Sequence, residues 1–240
     1  MDYEELNYNS ISRQEQLQSS LAFPVLMRKV YLWMALAMVI TGLTSYYVAT
    51  SPALLEMIFT NSAVLWGLII GELALVFGLS AAINKLSLPV ATLMFVLYSV
   101  VNGATLSFVF LVYTSTSIVN VFLITAITFA VMAAYGYFTK KDLTSWGRML
   151  FMALIGLIIA SIVNIFLKSS GMNMVISYIG VLVFVGLTAY DSQKIKEMLM
   201  QAPDAGETMQ KLALLGALSL YLDFINLFLY LLRILGSSRD

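Results

Sequence analysis

The stretch that decides how this chain must be read runs from Leu212 to Gly236, LALLGALSLYLDFINLFLYLLRILG. It is long and apolar enough to cross a hydrocarbon core of about 30 Å, yet Asp223 sits near its middle. A charged side chain at mid-bilayer costs about 2.5–3.5 kcal/mol on insertion scales, which makes such a residue a functional candidate. At about 100° per residue, Gly216, Ser219, Asp223, Asn226 and Tyr230 fall on one stripe, with Ile225, Phe228 and Leu232 on the far side. This helix carries a polar line that must face protein or water rather than lipid.

The rest of the chain fits a shell around that line. Of 240 residues, 60% are hydrophobic and 11% charged, and the mean hydropathy is +0.90. Soluble domains run at roughly 45–50% apolar and about 25% charged, so the composition is that of an integral membrane protein forming one polytopic unit. Net charge is zero, so no broad field draws the chain to nucleic acid. There is no cysteine and no histidine. That excludes disulfides, thiolate or imidazole metal sites, haem ligation and every Ser-His or Cys-His mechanism. Proton or metal chemistry is left to carboxylates, hydroxyls, amides and backbone.

Residues 1–29 are polar and read as a short cytosolic tail, mobile at its start; they are too long and acidic for a signal peptide. Apolar spans of about 20 residues follow, at 30–49, 62–82, 88–112, 118–138, 147–167, 174–193 and 212–235. The breaks are Ser51-Pro52, the region of Asn84, Lys85 and Pro89, Thr114 to Ser117, Lys140-Lys141-Asp142, Lys168 to Gly171, and the charged loop 194–211. The alternative to seven spans is six with a re-entrant piece. On one side of the membrane the loops carry Arg13, Arg28, Lys29, Lys85, Lys140, Lys141, Arg148, Lys194, Lys196 and Lys211; on the other lie Lys168, Arg233 and Arg239. The positive-inside rule then puts the N-terminus in the cytoplasm and the C-terminus outside. In the second span Gly67, Gly71, Ala74 and Gly78 form a small-residue face, expected to pack against another helix.

Three acids fall inside or at the edge of the spans. Glu72 and Asp223 lie near the midplane, each about ten residues into its span, and Asp191 lies nearer the cytosolic end of the sixth. No Lys, Arg or His is placed deep enough to neutralise them. Each must therefore be protonated, share a proton with another acid, accept from Ser, Asn or Tyr, or hold a cation. A close acid pair has two natural states: joined by one proton, or ionised and either separated or bridged by a cation. Oxygen-only ligands suit Ca²⁺, so the acids read as a pH-dependent cation site. The plainer reading is that each acid is protonated and packed. Asn102, Asn164 and Asn226 read as interhelical hydrogen bonds rather than ligands, although Asn226 shares the Asp223 stripe.

Two segments carry a family resemblance. Phe184 to Lys194 (FVGLTAYDSQK) and Leu218 to Phe228 (LSLYLDFINLF) resemble the two signature segments of the Bax inhibitor-1 family, in its bacterial inner-membrane branch. Gly136 to Leu143 (GYFTKKDL) resembles its mid-chain loop. The resemblance implies an all-α fold of seven transmembrane helices over residues 30–240, with the C-terminal helix enclosed by the other six. It further implies a pH-sensitive Ca²⁺ leak with paired aspartates at Asp191 and Asp223 and the acid of the second span at Glu72. An arginine latch known in the family would fall around Ile83, where this chain offers only the nearby Lys85.

The expectation is a channel gated by Asp191 and Asp223, with Glu72, Asp191, Asp223, Asn226 and Ser219 along the cation path. Asp191 and Asp223 would be the Ca²⁺ ligands, and Ca²⁺ a permeant ion rather than a tightly bound cofactor. Its partners are the lipid bilayer, Ca²⁺ and protons, in a bacterial inner membrane. The first alternative is a regulatory protein that binds another membrane protein, such as a membrane protease, with the acids structural. An intramembrane aspartyl protease is the minor alternative, opposed because Asp223 sits in Leu-Asp-Phe rather than Gly-x-Gly-Asp and no Pro-Ala-Leu segment follows it; the chain is expected not to be an enzyme.

Overall fold

The computed structural model describes the backbone of residues 3–239 and side chains from residue 21 to residue 239. Among these residues nine helices follow one another: α1 (Tyr3–Ala49), α2 (Pro52–Phe59), α3 (Ser62–Ala82), α4 (Leu88–Leu106), α5 (Phe108–Val112), α6 (Ser115–Phe138), α7 (Thr144–Leu167), α8 (Ser170–Met200) and α9 (Glu207–Leu235). Seven segments are long and apolar enough to cross a membrane: Leu21–Ala49, Ser62–Ala82, Leu88–Val112, Ser115–Phe138, Thr144–Leu167, Ser170–Met200 and Glu207–Leu235. Their number and order follow the hydropathy reading.

Local chemistry explains the boundaries. Asn61 caps α3 by accepting from Ala63 N at 3.0 Å, Thr114 caps α6 through Ser117 N at 3.3 Å, and Ser169 caps α8 through Met172 N at 3.3 Å. Pro52 and Pro89 stand in the first turns of α2 and α4, where a missing N–H costs nothing. Ser107 separates α4 from the short α5, and its hydroxyl donates back to Ala104 O at 2.7 Å.

Two expectations are corrected. Residues 21–29 are not a free tail. They continue α1, and Ala22, Leu26 and Met27 are buried in the core. The expected mobile start of the tail lies outside the residues with described side chains. Loop 194–211 shrinks to residues 201–206, because α8 runs on to Met200 and α9 begins at Glu207. Both differences share a cause: hydropathy marks where oil ends, whereas strong helix formers carry a helix on into water. The last helix, α9, is packed mainly against α1, α4, α6 and α8. Among the spans α3 rests on α4, and α7 rests on α8. These outer helices turn Trp66, Ile70, Phe77, Phe151, Ile158 and Phe166 outward.

Glycines mark the closest approaches. A Cβ on Gly136 would run into the Ala189 carbonyl, joining α6 to α8, and one on Gly103 would lie 2.6 Å from Thr41 O, joining α4 to α1. The small-residue face of α3 is not used in this way. A Cβ on Gly67 or Gly71 would meet nothing within 4 Å, so their expected partner is absent from the described chain. On the cytosolic side of the expected topology, Lys29 Nζ donates to Gln210 Oε1 at 2.7 Å, Lys211 Nζ to Leu86 O at 2.9 Å, and Leu88 N to Glu207 Oε1 at 2.8 Å. These bonds fasten the start of α9 to α1 and to the turn between α3 and α4.

Gly136→Val should destabilise the protein by about 1–3 kcal/mol through overpacking, whereas Gly67→Val should leave stability unchanged. Thermal unfolding of the two purified variants in detergent checks this, and equal losses would contradict the assignment of Gly136 to a helix contact.

Candidate functional site: two polar clusters on opposite faces of the last helix

The polar stripe of α9 faces α8. A Cβ on Gly216 would meet Ile195 at 3.1 Å, Ser219 lines one cavity with Asp191, and Tyr230 stacks on Phe184 with ring centroids 5.8 Å apart. In this antiparallel register Asp191 stands opposite Ser219, one turn of α9, or roughly 6 Å along the axis, from Asp223. That is closer than the sixth span's hydropathy boundary suggested, and the charge of Asp191 bears on Asp223. Asp223 is 4% exposed, and its Oδ2 is a buried oxygen with no hydrogen-bond partner.

Asp191 lies deep among the helices but opens into a cavity of about 250 Å³, shared with Ser80, Lys194, Met198, Leu215 and Ser219. Lys194 shares that cavity wall with Asp191, exposed and with its Nζ 5.9 Å from the Tyr190 ring centroid. The helical extension of α8 is the cause: it puts Lys194 three residues beyond Asp191, on the same side of the helix. At the position expected for a latch, Ile83 is a buried core residue, and Lys85 is exposed in the following turn.

Glu72 belongs to a different cluster. Thr105 Oγ1 donates to Glu72 Oε1 and lies 3.0 Å from Asn102 O. Tyr221 Oη donates to Asn102 Oδ1 at 2.9 Å and lies 2.6 Å from Thr41 Oγ1, which donates to Ser99 O at 2.9 Å. The chain of bonds links α3, α4, α9 and α1. Tyr221 and Asp223 are two residues apart, about 200° around the helix, so the two clusters occupy opposite sides of α9.

Around Asp191, its neighbours in sequence are taken up by structure. Ser192 Oγ donates to Ala133 O at 2.8 Å. Gln193 Nε2 donates to Lys141 O and its Oε1 accepts from Leu143 N, both at 2.8 Å. Tyr190 packs over Gly147. The loop that Gln193 grips lies outside the spans, and there hydrogen bonds from Thr144 hold the Asp142 carboxyl below the usual carboxylate range.

Of the expected site residues, the structure gathers Asp191, Ser219 and Asp223. Glu72 is placed across α9 from them, and Asn226 Nδ2 donates to Leu222 O of its own helix at 2.8 Å. Among the described residues no group of three or more acids forms a metal site. Sequence reasoning missed Lys194, Tyr221, Thr105 and Thr41. For Thr105 the spacing from Asn102 was a readable signal, since residues three apart share a helix face.

A family model described as "Inhibitor of apoptosis-promoting Bax1" matches residues 24–240. The chain is 52% identical over 215 residues to the inner membrane protein YbhL of Escherichia coli K12, covering 89% of this chain and 92% of that one. A protein of Borreliella burgdorferi is 44% identical over 212 residues, 88% of this chain and 91% of its own, and one of Deinococcus radiodurans is 37% identical over 214 residues, 89% and 90%.

Gln193→Leu should leave the Leu143 N–H and Lys141 C=O without their partner and cost about 1–3 kcal/mol. Tyr221→Phe should cost about 1 kcal/mol, since Thr41 keeps its bond to Ser99 O. Thermal unfolding ranks the two, and a harmless Gln193→Leu would contradict the role of that amide.

Proposed function

This chain belongs to the Bax inhibitor-1 family, and from that premise we propose that it is a multi-pass inner-membrane protein that leaks Ca²⁺ under the control of Asp191 and Asp223. The observation that carries the reading is Asp223 Oδ2, a buried oxygen without a hydrogen-bond partner, one turn of α9 from a second carboxylate. A lone ionised carboxylate there is untenable, so a proton or a cation must complete it. With one proton between them the acids hold α8 against α9. When both ionise, repulsion favours separation or capture of a cation, and the cytosolic constriction beside the Asp191 cavity opens. Lys194 is the charged group acting on Asp191, and Asp191 the one acting on Asp223. Lys194 would take the part that an arginine latch plays elsewhere in the family. Two carboxylates and Ser219 fall short of the six to eight oxygens of a resident Ca²⁺ site, which suits an ion in transit.

The N-terminus is proposed to be cytoplasmic and the C-terminus outside, from the loop charges. We propose a non-enzyme, as none of the relatives described above is named for an enzymatic activity.

One observation favours a second reading, a regulatory protein that binds another membrane protein. Gly67 and Gly71 offer close helix approach, and a Cβ on either would meet nothing within 4 Å among the described residues. Crosslinking in native membranes, with wild type compared with an Asp191/Asp223 double variant, separates the two. A partner retained by the double variant, with no Ca²⁺ flux in either protein, would favour the second.

In proteoliposomes Ca²⁺ flux should rise as pH is raised through the titration of the pair and fall on acidification, and Asp223→Asn should remove that dependence. Dye-reported flux across a pH series checks it; an unchanged profile in the variant would end the gating proposal.

A further inference from the structure

At the ends of α8 and α9 remote from the Asp191 cavity, α7, α8 and α9 part around a second and larger cavity, of about 770 Å³. Its described lining includes two cations, Lys168 and Arg233, and no carboxylate. Asn173, Ser170 and Tyr230 add polar groups. The start of α8, at Ser170, also opens here, and a helix N-terminus adds partial positive charge. Both formal charges in the described lining are therefore positive, and they outweigh the partial negative charge at the ends of α7 and α9.

The wall is also built. Arg233 stacks over Tyr230, its guanidinium carbon 5.6 Å from the ring centroid, and Tyr230 is bonded to Ser161. A guanidinium so stacked keeps its N–H edges for other partners. Lys168 closes α7 in the left-handed region, with φ of 50°. Glycine would adopt that backbone without cost, yet a lysine holds it. The turn beneath is fixed by Asn164, whose Nδ2 donates to Ser169 O at 3.2 Å and to Asn173 Oδ1 at 2.7 Å, while its Oδ1 accepts from Ser169 N at 3.1 Å.

We propose that this cavity binds an oxyanion of the phosphate class, held between Lys168 and Arg233. Ile165 and Met174 flank the cations, so the same site accepts a free phosphate or the phosphate of an anionic phospholipid whose chains run along these residues. The proposal does not rest on the Ca²⁺ reading, since a wall of positive charge repels that ion.

The test uses the full chain in a neutral maltoside detergent, titrated separately with inorganic phosphate, with a short-chain phosphatidylglycerol and with the matching diacylglycerol. Thermal unfolding and native mass spectrometry give the apparent affinities. Phosphatidylglycerol should bind saturably and diacylglycerol should not. Lys168→Gln and Arg233→Gln should each weaken binding about tenfold, as expected for loss of a charge-assisted hydrogen bond. Arg148→Gln, at the other end of α7, should leave binding unchanged. Saturable binding of inorganic phosphate, lost in the same variants, identifies a free-anion site; binding of phosphatidylglycerol alone identifies a headgroup site. Equal stabilisation by diacylglycerol, or equal losses in all three variants, would overturn the proposal. If Arg233→Gln does not fold, Lys168→Gln decides, because Lys168 is exposed at the end of its helix.

Discussion

A helix shut away from both water and lipid must find partners for its polar side chains in the helices around it. That constraint governs α9, the most deeply buried span of this protein. Tyr221 meets it fully, sitting between Thr41 and Asn102. Asp223 does not, because one of its oxygens is left alone. The surrounding architecture makes the contrast meaningful. In a loosely packed region an orphaned oxygen could turn to water, whereas here Asp223 is buried inside the bundle.

The two faces of α9 thus divide the work. On the side toward α1 and α4, hydrogen bonds tie Glu72 to Thr105 and Tyr221 to Asn102 and Thr41. Toward α8, the contacts are a serine, a cavity, a lysine and two acids. The proposed gate places its moving contacts on this second side.

Much of this was legible in the sequence because oil imposes a simple code. Span number, span order and the inward direction of the Gly216–Tyr230 stripe follow from length and angular position. What stayed hidden depended on water and on register. Lys194 looked like a loop residue because hydropathy ends near Gln193, yet the helix does not. The closeness of Asp191 to Asp223 depends on how far α8 slides past α9, and Gly216 opposite Ile195 sets that slide through packing, which hydropathy cannot encode. Glu72 looked like a member of the same acid group because depth was known and azimuth was not. Gly67 and Gly71 have the spacing of a packing face without a partner in the chain, so spacing alone did not determine use.

The outlying position of α3 has a mechanical corollary. This helix leans on α4, and its Glu72 is moored to Thr105, whose hydroxyl also lies 3.0 Å from Asn102 O on that neighbour. A bilayer that thins or thickens makes an outlying helix tilt to match it. Such a tilt pulls first on that mooring, and from Asn102 the strain passes directly to the Tyr221 hydroxyl at the heart of the bundle. Lipid thickness therefore has a short lever onto the central helix, anchored on the face away from the aspartates.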